Sequence, residues 1–160
     1  MSSTWNIIHS SEDMSWRTPR QLFDLLDDEF HFDLDAAASA TNALCDRYFT
    51  EQDDALAQDW LSSQSVWCNP PYGRDLHRWM AKAYAESRKG PTVVMLVMAC
   101  TETKWWREYA WRADEIRLIQ RRVKFLRSSG KSAGPAPKGS AVIIFHSSWD
   151  GPPRVTLMNQ

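Results

Sequence analysis

The stretch Val66-Trp67-Cys68-Asn69-Pro70-Pro71-Tyr72 decides how this 160-residue chain is read. Ser65-Val66-Trp67-Cys68 has the composition of a strand, and it stops at once, because two successive prolines cannot continue a ladder. Leu76, Trp79, Met80, Ala83 and Tyr84 then recur at helical spacing until Gly90-Pro91 ends the helix. The run TVVMLVM at 92–98 is apolar throughout and of strand length, as a central strand buried on both faces should be. A strand, a sharp turn, a helix and a second buried strand predict one unit of a parallel α/β sheet.

The pattern extends in both directions. Thr18-Pro19 reads as a helix start, with Thr18 as N-cap, Pro19 at the first helical position and Leu22, Phe23, Leu25 and Leu26 as the apolar face. A short strand is expected at Phe30-His31-Phe32-Asp33-Leu34, running into Asp35 and the small residues Ala36-Ala37-Ala38-Ser39-Ala40. Downstream, residues 104–113 look helical, 115–119 and 141–145 look like strands, and 128–140 read as a Gly/Pro/Ser loop. Residues 154–158 are expected to pair back on the preceding strand as a terminal hairpin. The prediction is a single domain over 1–160, mostly parallel, with an antiparallel C-terminal edge hairpin and a mobile arm at 1–15.

Composition excludes several classes. The hydrophobic content of 43% excludes disorder of the whole chain. No apolar run reaches the ~20 residues needed to span a bilayer, so a soluble, cytoplasmic protein is expected, with no membrane partner. Cys45, Cys68 and Cys100 are far apart and odd in number, indicating neither a disulfide framework nor a metal site. All six glycines lie at position 73 or later, so no G-x-G-x-x-G turn follows the first strand, and Gly130-Lys131 lacks the P-loop spacing.

The net charge of −1 hides a segregation. Residues 1–60 carry 13 acidic and 3 basic side chains, whereas residues 112–138 carry 8 basic and 2 acidic ones, a balance of +6. The two regions could simply attract each other, or the basic one could hold an anion such as a phosphate backbone.

In an open α/β sheet, ligands bind at the carboxyl ends of strands, where Asn69-Pro70-Pro71-Tyr72 stands. A planar exocyclic amine is a weak nucleophile because its lone pair is delocalised into the ring. Hydrogen bonds from its two N–H groups to the Asn69 side-chain oxygen and the Pro70 carbonyl would favour a pyramidal nitrogen aimed at an electrophilic methyl group. Tyr72 is expected to stack on the base at ~1–3 kcal/mol. Asn69, Pro70, Pro71 and Tyr72 are therefore the candidate catalytic residues.

The chain resembles the phage-type DNA N6-adenine methyltransferases (Dam-like) over residues 16–145. The resemblance is carried in order by Thr18-Pro19 with Leu22-Phe23, Phe32-Asp33-Leu34-Asp35-Ala36-Ala37-Ala38, Tyr48-Phe49-Thr50, Asp54-Ala55-Leu56 with Asp59-Trp60, and Trp67-Cys68-Asn69-Pro70-Pro71-Tyr72-Gly73. Thr101-Glu102-Thr103-Lys104-Trp105-Trp106, Arg122-Val123-Lys124-Phe125 and Ala136-Pro137 complete it. It implies a Rossmann-like fold, S-adenosylmethionine as methyl donor, adenine in double-stranded DNA as acceptor, and a phage or prophage protein acting in a bacterial cell. Thr18 and Pro19 resemble the segment against the methionine end of the cofactor; Asp33, Asp35, Ala36 and Ala37 occupy its first binding strand and loop. Asp54 resembles the acidic group near the cofactor adenine, with Asp53 and Asp59 as competitors.

The chain also departs from the family pattern. Alanines replace the usual glycine-rich turn, only 34 residues separate Asp35 from Asn69 (69 − 35), and Met98-Ala99-Cys100-Thr101 stands where proline and arginine are commoner. Cytosine N4, RNA adenine and a protein glutamine amide remain alternative acceptors, and a non-catalytic nucleic-acid-binding protein is the alternative of a different class. Arg121, Arg122, Lys124, Arg127, Lys131 and Lys138 are the candidate DNA contacts, and the loop at 128–140 is the expected groove reader. With 160 residues, a short recognition sequence is expected. Among Trp105, Trp106 and Trp111, core packing is expected for at least one.

Overall fold

The structure is a computed structural model that describes residues 16–160, so the arm expected at 1–15 lies outside the described residues. Its elements are α1 (Arg20–Phe30), β1 (Leu34–Asp35), β2 (Ser65–Cys68), α2 (Leu76–Ser87), β3 (Thr92–Met98), α3 (Lys104–Glu108) with a 3-10 turn (Ala110–Arg112), β4 (Glu115–Ile119), β5 (Lys124–Leu126), β6 (Ser132–Pro135), β7 (Ser140–Phe145) and β8 (Arg154–Met158). Six strands form one sheet in the order β1-β2-β3-β7-β4-β8. Pairing is parallel for β1 with β2, β2 with β3 and β4 with β8; β7 alone runs opposite to its neighbours β3 and β4. The fold is thus the expected α/β type with a mostly parallel sheet.

The sheet is centred where the apolar runs predict. In β2 and β7 every residue is buried, as is all of β3 beyond Thr92. Such strands have no solvent face and need partners on both edges. This explains the difference at the C-terminus. The chain does reverse after β7, but β4 already holds the open edge of β7, with Ile116 opposite Ile143. β8 has only Met158 buried and takes the outer edge beside β4, Val155 opposite Ile116. The expected hairpin is therefore a reversal that skips one strand. Asp114 stitches the junction: its carboxylate accepts from His146 N–H, its carbonyl accepts from Arg154 N–H, and its N–H donates to Ile144.

Two other elements differ from expectation. The first strand starts late, because α1 retains Phe30 and His31 closes the helix in the left-handed region (φ 52). The Asp27 side chain then accepts from Phe32 N–H at 2.7 Å, leaving only Leu34–Asp35 to pair with β2. The loop at 128–140 is partly ordered as well, since β6 pairs antiparallel with β5 to make a separate two-stranded ribbon. Trp105 and Trp106 are buried, whereas Trp111 is 54% exposed. Among the described residues no helix is long and apolar enough to cross a membrane.

Candidate active site

A cleft of about 770 Å³ opens at the carboxyl ends of β1 and β2. Asp35, Ala36 and Ala37 form one wall, Asn69, Pro70 and Pro71 another, and Thr18 and Asp54 also face it. Phe49 and Thr50, from the Tyr48-Phe49-Thr50 motif, line it too, as do Trp16, Arg17, Glu51 and Trp79, whose side chains no motif singled out. Trp79 in particular reads as a core position of α2 by its spacing, because periodicity cannot separate a face on the core from a face on a cleft.

Asn69 is the most tightly specified side chain in the cleft. Its Nδ2 donates to the Trp16 carbonyl at 2.7 Å and to Thr18 Oγ1 at 3.0 Å. Its Oδ1 accepts from the Tyr72 hydroxyl at 2.9 Å. Both amide hydrogens are thereby used, while an amide oxygen with two lone pairs keeps one acceptor site. Thr18 accordingly serves Asn69 instead of capping the helix. α1 has no side-chain cap, and the Pro19 carbonyl accepts from the N–H groups of Leu22 and Phe23. Pro19 is therefore a helix-start residue behind the cleft wall.

Tyr72 sits elsewhere than expected. It is 6% exposed, its hydroxyl also reaches the Leu96 carbonyl at 3.1 Å, and its ring meets Trp16 and Phe125 edge-on. Burial pushes its phenol well above the ordinary value. The ring packs on Trp16 and Phe125 and is not part of the cleft wall where a stacking position was expected, while its hydroxyl contacts Asn69. The proline pair ends β2 and turns the chain ahead of position 72.

On the opposite wall, Asp35 is 4% exposed and accepts from the N–H groups of Leu44 (3.1 Å) and Ala37 (3.3 Å). Burial outweighs these two bonds and pushes its carboxyl up to about 6. The alanine turn after it stays out of the left-handed region: among the described residues only His31 and Asp54 combine a side chain with positive φ. Glycine's extra freedom is not needed there. Asp33 does not face the cleft. Its carboxylate accepts from the N–H groups of Gln64 (2.9 Å) and Ser65 (3.3 Å) and so fixes the entry to β2.

The three competing acids also separate. Asp53 accepts from the N–H and hydroxyl of Thr50, and Asp59 from Leu61 N–H, whereas exposed Asp54 (φ 51) lines the cleft. This wall is anchored from behind by Trp60, whose indole donates to the Ala55 carbonyl and whose N–H donates to buried Glu86 of α2.

The basic residues divide into two groups. Lys124, Arg127 and Lys131 are exposed on or beside the β5–β6 ribbon, with Arg121 exposed just before it. Arg122 donates to the Ala136 and Pro137 carbonyls, and Lys138 pairs with Glu102 at 3.3 Å, so these two also serve the internal structure. Arg117, part of the same basic block, is held by Glu29 and Glu115. The ribbon adjoins the cleft directly: Arg17 and Leu126 exchange both backbone hydrogen bonds, at 2.8 and 3.0 Å.

Residues 5–160 match the family model described as DNA N-6-adenine-methyltransferase (Dam). The chain belongs to this family. Among curated relatives, it is 29% identical over 154 residues to the DNA N-6-adenine-methyltransferase of Escherichia phage T1, a match covering 85% of this chain and 64% of the relative. It is also 29% identical over 150 residues to the DNA N-6-adenine-methyltransferase of Haemophilus phage HP1, covering 91% of this chain and 85% of the relative. Membership in the Dam family agrees with the α/β fold and with a cleft at the strand ends. It also accords with S-adenosylmethionine as the general cofactor class of methyltransferases.

Proposed function

We propose that this chain transfers a methyl group from S-adenosylmethionine to the N6 amine of adenine in double-stranded DNA. The observation that carries the reading is the Asn69 amide, which lines the cleft at the strand ends, has both hydrogens bonded inside the protein and keeps one acceptor site on its oxygen. The phage relatives named as adenine methyltransferases support it, and they also support action in the cytoplasm of a bacterial host.

The cleft fits the cofactor. Its size is within the ~300–1,000 Å³ usual for small-molecule sites. Asp35, a buried acid held near 6, is a natural partner for an ammonium group, and the alanine turn lets a ligand approach the backbone closely. Thr18, Ala36, Ala37 and Asp54 complete the assignment, with Phe49 and Trp79 as apolar walls. When bound, S-adenosylmethionine supplies an electrophilic methyl group.

The chain's own task is to present the nucleophile. Asn69 Oδ1 and the Pro70 carbonyl accept the two hydrogens of the adenine amine, drawing the nitrogen toward a pyramidal shape and directing its lone pair into the cleft. Pro71 and Tyr72 fix that geometry. An adenine within a duplex must leave the stack to arrive there, at a cost of a few kcal/mol. Arg121, Lys124, Arg127 and Lys131 supply phosphate contacts beside the cleft.

Incubation with methyl-labelled cofactor and duplex DNA, followed by nucleoside mass spectrometry, tests this. N6-methyladenine is expected, with none from Asn69→Ala, whose circular dichroism should match the parent. Methylcytosine alone, or wild-type transfer by Asn69→Ala, would overturn it.

A further inference from the structure

An asparagine amide has two orientations related by a half-turn, nearly equal in shape, and only one puts the oxygen where a substrate amine needs an acceptor. Two of the three partners of Asn69 tolerate either orientation. The hydroxyls of Thr18 and Tyr72 can each donate or accept, and Tyr72 has the Leu96 carbonyl as an alternative acceptor. The Trp16 carbonyl, 2.7 Å from Nδ2, can only accept. Turning the amide over would set two oxygens against each other at that distance. The choice therefore rests on where the Trp16 carbonyl is held.

That carbonyl belongs to a short segment whose other side is a strand of the ribbon. Arg17 pairs with Leu126 through two backbone hydrogen bonds. The Trp16 ring packs on Phe125 of β5 with centroids 5.2 Å apart, and on Tyr72 at 6.2 Å. Phe125 is fully buried and is absent from the cleft wall. The ribbon carrying the exposed Lys124, Arg127 and Lys131 is thus two contacts away from the amide.

We propose that residues 16–18 are a positioning strap for Asn69, anchored by the β5–β6 ribbon. Trp16 sets the orientation of the amide, and Thr18 is a positioning residue that holds its second hydrogen. The proposal rests on Asn69 as the acceptor for the substrate amine. DNA that grips the ribbon would bear on the same element that aims Asn69, so binding and alignment would be mechanically joined.

Two variants separate the links of the strap. Thr18→Val, nearly isosteric, cuts the hydrogen bond to Asn69, and Phe125→Leu loosens the ribbon beneath Trp16. The first readout is the Asn69 side-chain amide pair in proton–nitrogen NMR spectra, assigned by its loss in Asn69→Ala. Both variants are expected to shift or broaden it, and Thr18→Ser to restore it. The second readout is kinetic: kcat is expected to fall about tenfold with KM for DNA within about twofold, as for loss of one aligned hydrogen bond.

Hydrogen exchange on the unmodified protein covers the case in which Phe125→Leu does not fold. The Arg17 and Leu126 amide hydrogens should be protected to the same degree, and independent exchange would overturn the anchoring. An unperturbed Asn69 pair in Thr18→Val, or an unchanged kcat, would overturn the strap. The NMR readout does not depend on methyl transfer, so an inactive parent protein would defeat the proposed function and leave the strap to be judged by its spectra.

Discussion

Tyr72 donates its hydroxyl hydrogen to Asn69 Oδ1 across 2.9 Å from a ring that is 6% exposed. The tyrosine of the Asn-Pro-Pro-Tyr turn therefore contacts the candidate acceptor, and its ring makes T-shaped contacts with Trp16 and Phe125. For Tyr72→Phe, kcat is expected to fall about fivefold to tenfold, with stability lower by about 1 kcal/mol. DNA affinity measured by fluorescence anisotropy should be unchanged. Wild-type kcat with weakened DNA binding would instead indicate a stacking role.

Asp35 gives the site a pH dependence of defined sign. Burial, opposed by the N–H bonds of Leu44 and Ala37, raises its carboxyl from 3.8 to about 6. Between those values the folded chain holds a proton that the unfolded chain has released. Its contribution to stability therefore declines as pH rises from about 4 to 6, by roughly 3 kcal/mol in all. Asp35→Asn should flatten that part of the denaturation profile. A cationic ligand group favours the carboxylate, so cofactor affinity should be full above about 6 and fall up to tenfold per pH unit below it. Calorimetry between pH 5 and 8 measures this, and a flat profile would count against Asp35 as the ammonium partner.

The basic block contains two kinds of arginine and lysine, which substitution should separate. Replacing Lys124, Arg127 and Lys131 by alanine should weaken DNA binding uniformly across sequences and reduce the salt slope by about 0.9 for each phosphate no longer neutralised. Arg117→Gln should leave DNA affinity alone and cost about 1–3 kcal/mol in urea denaturation, because Arg117 joins Glu29 of α1 to Glu115 of β4. Equal effects of the two changes on DNA binding would contradict this division.

Glu86 supports the cleft from behind. It is 2% exposed, accepts from Trp60 N–H at 3.1 Å and pairs with Lys82 at 2.8 Å. Burial raises its carboxyl, but the Lys82, Trp60 and Lys89 hydrogen bonds together hold it below the ordinary 4.5. Its stabilising contribution is therefore present above that value and lost as pH falls through the folded-state value. Glu86→Ala should cost about 1–3 kcal/mol by leaving a buried N–H unpaired. It should also weaken cofactor binding by loosening the wall that carries Asp54 and Ala55, without changing the salt dependence of DNA binding.

Much of this was legible in the residues, wherever a local rule suffices. The proline pair at 70–71 ends β2, and the six apolar residues after Thr92, short and rich in β-branched side chains, suit a strand covered on both faces. These two features placed Asn69 at the mouth of a parallel sheet, and the ordered motifs placed the chain in its family. Where local rules allow two outcomes, the expectation went to the commoner one. A residue before Pro19 is usually a helix cap, Asp33 two positions from Asp35 looks equivalent to it, and a Gly/Pro/Ser stretch usually forms a loop.

The sequence by itself determined the strand that ends at Asn69, the acid in β1 with the alanines that follow it, and the segregation of charge. Each depends on composition and short-range sterics, which act before the chain is folded. Only the tertiary structure decided that Thr18 holds an amide 51 residues away, that Tyr72 points into the core, that β4 separates β7 from β8, and that Arg117 is paired while Lys124 is exposed. Those outcomes depend on which edge, cavity or charge is vacant once the sheet has formed, and no window along the chain contains that information.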